Sequence, residues 1–241
     1  MVTVLITGAT GGIGVNLVRD FSELGYKVVG TYSHISDKVT MINDRFPNVS
    51  LFKVDHDKLD EVRTTYDYII NKYKPNILIN NAGIVRDSFI FNMTDDDFND
   101  VIRINLVSSI IVSHIFLDSA KTWSKSKYQI INMSSISGLI GKEGQVNYAF
   151  TKGALIGLSH LVEHASSGYE NVSSFSIAPG LIDTNIKNKM DNKSISKFKN
   201  SILAGRLGKP SEVSKLIISL VSGEISYCNG ACFSIDGGVM K

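Results

Sequence analysis

The chain has 241 residues, 43% of them hydrophobic and 20% charged, with 25 basic against 23 acidic side chains. Ordinary hydrophobicity with balanced charge excludes a disordered chain, and a formal charge of +2 gives no general pull towards nucleic acid or anionic membrane. No apolar run reaches the ~18 residues of a membrane span, and two cysteines, Cys228 and Cys232, cannot build a disulfide framework or a four-cysteine zinc site. The apolar run Val2-Thr3-Val4-Leu5-Ile6 has no basic segment before it and no small-residue cleavage site after it. The expectation is a cytoplasmic globular protein of one α/β domain over 1–241.

In chain order, Val2–Ile6, Lys27–Thr31, Val49–Val54, Asn76–Ile79, Tyr128–Met133, Val172–Ile177 and Ala231–Ile235 read as buried strands rich in Val and Ile. Helical patterns fall near 12–24, 58–73, 95–120, 146–166 and 211–222. Thr94 followed by Asp95-Asp96-Asp97 is a helix start, with an N-cap hydroxyl and acids in the first turn. Strands alternating with helices predict a doubly wound Rossmann sheet of about seven parallel strands, flanked by helices on both faces. The segment 185–200, loaded with Lys, Asn and Ser around Ile186, Met190, Ile195 and Phe198, reads either as a solvated helix pair or as a lid. With its flanks, 181–208 is the candidate substrate lid.

Gly8-Ala9-Thr10-Gly11-Gly12-Ile13-Gly14 follows the first strand and opens the first helix. In that context glycines permit a tight turn and let backbone N–H groups approach a pyrophosphate at the helix N-terminus. The spacing differs from the usual Gly-x-Gly-x-x-Gly. With Thr7 it resembles the short-chain dehydrogenase/reductase signature Thr-Gly-x-x-x-Gly-x-Gly. The second strand ends at Thr31-Tyr32-Ser33-His34 with no acid before Asp37. A carboxylate there would select NAD(H) by binding the ribose 2′-OH. Hydroxyls, His34 and Lys38 instead favour a 2′-phosphate, so NADP(H) is expected, with NAD(H) the alternative. Gly11 occupies the place where many NADP-using relatives carry an arginine.

Tyr148 and Lys152 stand four apart on one helix face, and Ser135 lies thirteen residues upstream, just after a strand. A cation one turn away is expected to lower the phenol's pKa from its ordinary ~10 towards the working range. The same resemblance supplies Asn105 as a fourth member of the set. It implies that Ser135 stabilises a substrate oxyanion, Tyr148 donates the proton, Lys152 holds the nicotinamide ribose and Asn105 holds a relaying water. It further implies cofactor contacts from Asp55 and His56, from Asn81, Ala82 and Gly83 after the fourth strand, and from Pro179, Gly180, Ile182 and Thr184 after the sixth. Ser134, the neighbouring serine, should face away, because adjacent residues at a strand end alternate faces.

Within that family the chain resembles the group that reduces 3-oxoacyl thioesters on acyl carrier protein. The resemblance rests on Asn81 to Asp87, Gly144 to Tyr148 and Ala204 to Gly208. It implies an acyl thioester substrate on acyl carrier protein or CoA, and a homotetramer. Glu170, where that group carries basic residues, argues against an acidic carrier. Alternatives are another alcohol, sugar or specialised-metabolite dehydrogenase, or a non-catalytic dinucleotide-binding regulator. His160-Leu161-Val162-Glu163-His164 matches an inverted zinc-protease pattern. No third ligand is evident and the helix already carries Tyr148 and Lys152, so no metal site is expected.

Overall fold

The computed structural model describes residues 2–123, 127–165, 171–184, 196, 199–223, 225 and 227–239, and for 163–165 the backbone only. Its strands are β1 (Thr3–Ile6), β2 (Lys27–Tyr32), β3 (Val49–Lys53), β4 (Ile77–Asn80), β5 (Tyr128–Met133), β6 (Val172–Pro179) and β7 (Cys232–Ile235). They form one parallel sheet in the order β3-β2-β1-β4-β5-β6-β7. Between them run α1 (Gly12–Glu23), α2 (Asp37–Arg45), α3 (Leu59–Tyr73), α4 (Asp95–Val101), α5 (Ser108–Ala120), α6 (Ile136–Ile140), α7 (Val146–Ala165) and α8 (Pro210–Val221).

Strand alternation divides the core into two layers. Val4 and Ile6 point to one face and pack with Leu17, Phe21, Ile217 and Leu220 of α1 and α8. Leu5 points to the other and packs with Tyr66, Ile70, Val112 and Phe116 of α3 and α5. The strand order reverses at β1, which pairs with β2 on one side and β4 on the other. Chain crossovers leave that point in opposite directions, so a crevice opens outside the strands' carboxyl ends.

Three helical features differ from the sequence expectation. α2 buries only Val39 and Ile42, too few apolar positions to show a period. α6 is five residues long and is capped by Ser135, whose side chain accepts from the Ser137 N–H. The helix expected over 95–120 is present but carries a π-helical segment at Ile102–Val107. The Ser108 and Ser109 hydroxyls donate to the Ile104 and Asn105 carbonyls at 2.6 and 2.9 Å beside that distortion. By length and composition alone Asp95–Ala120 would pass for a membrane span, contrary to the sequence count. Its Ile111, Val112 and Phe116 are spent on the core beside the sheet.

Candidate active site

The ends of β1 and β4 are tied directly across the switch point. Thr7 Oγ1 accepts from the Asn81 and Ala82 N–H groups at 2.9 and 2.8 Å. In return the Asn81 side-chain amide donates to the Thr7 and Gly8 carbonyls at 2.9 and 3.0 Å. Gly8 turns at φ +64°, and a Cβ there would lie 2.9 Å from Ala82 Cα. A Cβ on Gly14 would collide with the Gly8 carbonyl oxygen, and one on Gly12 with the Thr184 side chain. These close approaches hold the start of α1 against the loop. α1 has no side-chain cap and no acid in its first turn, in contrast to α4, which Thr94 and three aspartates cap. Its first amides and positive dipole end are therefore available to an anion, which fits a dinucleotide pyrophosphate.

A cleft of about 570 Å³ runs over this loop. Of the residues expected to bind cofactor, Gly8, Thr10, Gly11, Gly12, Ile13, Tyr32, Ser33, His34, Asp55, His56, Asn81, Ala82, Gly83, Tyr148 and Thr184 line it. Ser36, Ile84 and Ile104 line it too and were not anticipated. Neither apolar residue carries a polar group that a sequence search would single out. Gly14 and Lys152 lie behind the surface, and Pro179 closes β6. Ile182 does not line this cleft: its side chain is buried in the main core, and its Cδ1 fills the space over Gly208. Gly180 belongs to a second cavity.

His56 lies at the floor of the cleft within a buried chain of hydroxyls. Ser108 already donates to the Ile104 carbonyl, so His56 Nδ1–H donates to Ser108 Oγ at 2.9 Å. His56 Nε2 then accepts from Tyr66 Oη at 3.0 Å, and Tyr66 in turn accepts from Thr31 Oγ1 at 2.7 Å. Each hydrogen has one place to go. Burial holds the imidazole neutral, its pKa lowered to about 4 against the opposing charges of Asp55 and Glu61. Tyr66, fully buried, is pushed up by the same desolvation.

Beyond the cleft, the start of α6, α7 and the π-helical segment at Ile102–Val107 supply the four residues expected to be catalytic. Lys152 is buried, and its Nζ donates to the Met133 carbonyl at 2.7 Å and lies 5.5 Å from the Tyr148 ring centroid. Desolvation lowers its pKa to about 8. The Ser135 hydroxyl lies beside the Tyr148 phenol. The Tyr148 phenol is raised rather than lowered, contrary to expectation: burial is the largest cause, the Ser135 hydrogen bond opposes it, and Asp87 adds to it. Asn105 Oδ1 accepts from Ile84 N–H at 2.8 Å and its Nδ2 donates to Ile84 O at 2.9 Å. A Cβ on Gly83 would sit 3.2 Å from Asn105 Oδ1 and 3.5 Å from Lys152 Nζ, so glycine leaves open space between them. Ser134 faces inward and donates to the Lys152 carbonyl at 2.7 Å.

A second cavity of about 340 Å³ adjoins this set. Val85, Ile136, Ile140, Leu181, Ile202 and Val239 make it apolar, while Ser135 and Gly180 face it from the catalytic side. Tyr148 lines both cavities. The central part of the expected lid, 185–195 with 197 and 198, lies outside the described residues, as does Glu170. The side chains of Glu163 and His164 also lie outside them; among the described residues no three metal-ligating side chains cluster.

A family model described as enoyl-(acyl carrier protein) reductase matches residues 8–240. The chain is 31% identical to a 3-oxoacyl-[acyl-carrier-protein] reductase of Thermotoga maritima, covering 98% of this chain and 96% of the relative. It is 34% identical to the enzyme of the same name from Buchnera aphidicola subsp. Acyrthosiphon pisum, with the same coverage. A Serratia marcescens short-chain dehydrogenase/reductase, solved as a mutant, superposes with a TM-score of 0.88 at 23% identity, over 100% of this chain and 98% of that one. The chain belongs to the short-chain dehydrogenase/reductase family and is an NAD(P)-dependent oxidoreductase.

The buried imidazole sets a pH dependence of stability. Its folded pKa of about 4 is below the ordinary ~6.5 of the unfolded chain, so the unfolded state takes up the proton first as pH falls. This contribution is intact above about 6.5 and is lost down to about 4, by about 3 kcal/mol. Urea unfolding at a series of pH values should show that slope in the wild type. His56→Gln should be less stable at neutral pH but flatter across the window; an unchanged slope would show that other groups cause it.

Proposed function

We propose that this chain reduces the ketone of a 3-oxoacyl thioester, on acyl carrier protein or CoA, to the 3-hydroxyacyl thioester with NADPH. The observation that carries this reading is the position of Tyr148, on the wall shared by the dinucleotide cleft and the apolar cavity. A proton donor there can reach a carbonyl presented from the second cavity beside a nicotinamide held in the first. The bound nicotinamide supplies the hydride. Ser135 Oγ accepts from the Ser137 N–H at 3.1 Å, which fixes its place beside Tyr148, and its own hydrogen can turn to the carbonyl oxygen and stabilise the alkoxide. Tyr148 Oη delivers its proton to that oxygen. Its raised pKa keeps the phenol protonated at neutral pH, the state a reductive acid needs. Lys152 is positioned to hold the nicotinamide ribose, and the space that Gly83 leaves beside Asn105 suits a relaying water.

The names of the relatives support the thioester class, and the apolar lining suits an acyl chain over a sugar. The NADPH preference is supported by the cleft wall at Tyr32, Ser33, His34 and Ser36, which lacks a carboxylate. The chain is further read as a single cytoplasmic cofactor-binding and catalytic domain over 1–241. Within it 181–208 is the lid; Leu181, Ser201 and Ile202 already face the second cavity.

Acetoacetyl-CoA should drive oxidation of NADPH followed by absorbance, and Tyr148→Phe should lower kcat by at least ~10²-fold while leaving NADPH binding intact. Tight NADPH binding without turnover of any ketone would defeat the enzyme assignment, and near-wild-type turnover in the variant would remove Tyr148 from it. Ile110 on α5 and Phe150 and Leu161 on α7 are exposed apolar residues that support self-association. Sedimentation is expected to give four times the 26.4 kDa chain mass; a monomer would exclude the tetramer.

A further inference from the structure

We propose that Lys38, on α2, selects the 2′-phosphorylated cofactor by reaching across the glycine loop from outside it. The proposal rests on the NADPH reading above and assigns its selectivity to one side chain. Lys38 is half-buried, and its Nζ donates to the Thr10 carbonyl at 3.1 Å, a contact between residues 28 apart in sequence. Thr10 is on the cleft wall, one residue before Gly11. The ammonium is thus parked at the rim of the cleft, beside the position where a basic side chain on the loop would project.

Gly11 leaves that position open. It has φ −66° and ψ 170°, an extended conformation that any residue adopts. A Cβ there would meet only the Gly8 carbonyl oxygen, at 3.2 Å. A side chain at this point needs the Gly8 carbonyl to give by a few tenths of an ångström; with glycine there instead, the gap is one that a long side chain from elsewhere can serve.

The surroundings are those of an anion site at the ribose end of β2. Ser33, His34 and Ser36 line the cleft there, and Ser33 Oγ lies 2.8 Å from His34 Nδ1. Ser36 is the N-cap of α2 but makes no side-chain cap hydrogen bond, so its hydroxyl is not committed to the helix. Asp55, just past the end of the neighbouring β3, also lines the cleft, and its carboxylate is engaged by the Asp57 N–H at 3.1 Å and by Lys58 at 3.6 Å. Asp37, exposed in the first turn of α2, is the acid nearest in sequence to Lys38.

An ammonium has three donors, and among the described residues Lys38 places one of them on a neutral carbonyl. A phosphate dianion would take the others as charge-assisted hydrogen bonds, about twice as strong as neutral ones. A ribose hydroxyl offers no charge in return. Lys38 therefore discriminates between the two dinucleotides without contacting the nicotinamide half.

The test is the dissociation constant of NADPH and of NADH, measured by fluorescence titration on the full-length protein. Wild type should prefer NADPH. Lys38→Met should weaken NADPH roughly 10- to 100-fold and leave NADH within about twofold. Lys38→Arg should retain the preference, and adding Gly11→Arg to Lys38→Met should restore it, because the new cation projects at the same rim. Unchanged NADPH affinity in Lys38→Met would overturn the proposal. So would an equal loss for both dinucleotides, which would mark a structural defect. Wild type binding both equally would instead defeat the NADPH reading itself, and the proposal with it.

Discussion

Thr7 Oγ1 accepts two backbone N–H groups from the Asn81-Ala82 turn, and the Asn81 amide returns two hydrogen bonds to the Thr7 and Gly8 carbonyls. This four-bond clamp joins β1 to β4 where the sheet's connections diverge and a crevice must open. It fixes Gly8 against Ala82, and through Gly8 it fixes the start of α1, because Gly14 packs directly on the Gly8 carbonyl. It also carries Gly83 and Ile84 to Asn105, whose side chain pairs with the Ile84 backbone. The pyrophosphate cradle and the catalytic set are thereby positioned from one junction.

The chemistry then depends on what burial does to two groups of opposite charge type. Desolvation disfavours the charged form of each, so it raises Tyr148 and lowers Lys152 to about 8. The lysine is paired with a carbonyl, not with a carboxylate that would hold its charge. Its burial keeps the side chain rigid, and a cofactor ribose would give it further acceptors. In the proposed reduction Tyr148 begins as a protonated acid and Ser135 as its orienting neighbour, which is the arrangement that reduction of a ketone requires.

Much of this was legible in the sequence because strands buried on both faces are continuous apolar runs. β5 matches its expected limits, and the other strands lie within a residue or two of theirs. Local polar geometry was less legible. The π-helical segment around Asn105 has no sequence signature; the serines that serve its carbonyls look like ordinary helix serines. α2 hid because it buries two side chains, and the turn of the Ile182 side chain into the core could not be read from a strand-end motif. The spacing of Ser135, Tyr148 and Lys152 foretold their meeting. The pKa of the tyrosine did not follow from spacing, since burial is the largest influence on it.

The central claim is that a protonated Tyr148 supported by a charged, buried Lys152 drives ketone reduction. It is tested most directly by the pH dependence of kcat at saturating NADPH and acetoacetyl-CoA. The phenol stays protonated across the neutral range, so the controlling event is loss of the lysine's charge. The account predicts a level rate below the lysine's pKa and a fall as pH passes through about 8. A rate that stays level well above that value, or that rises with pH across it, would contradict the account.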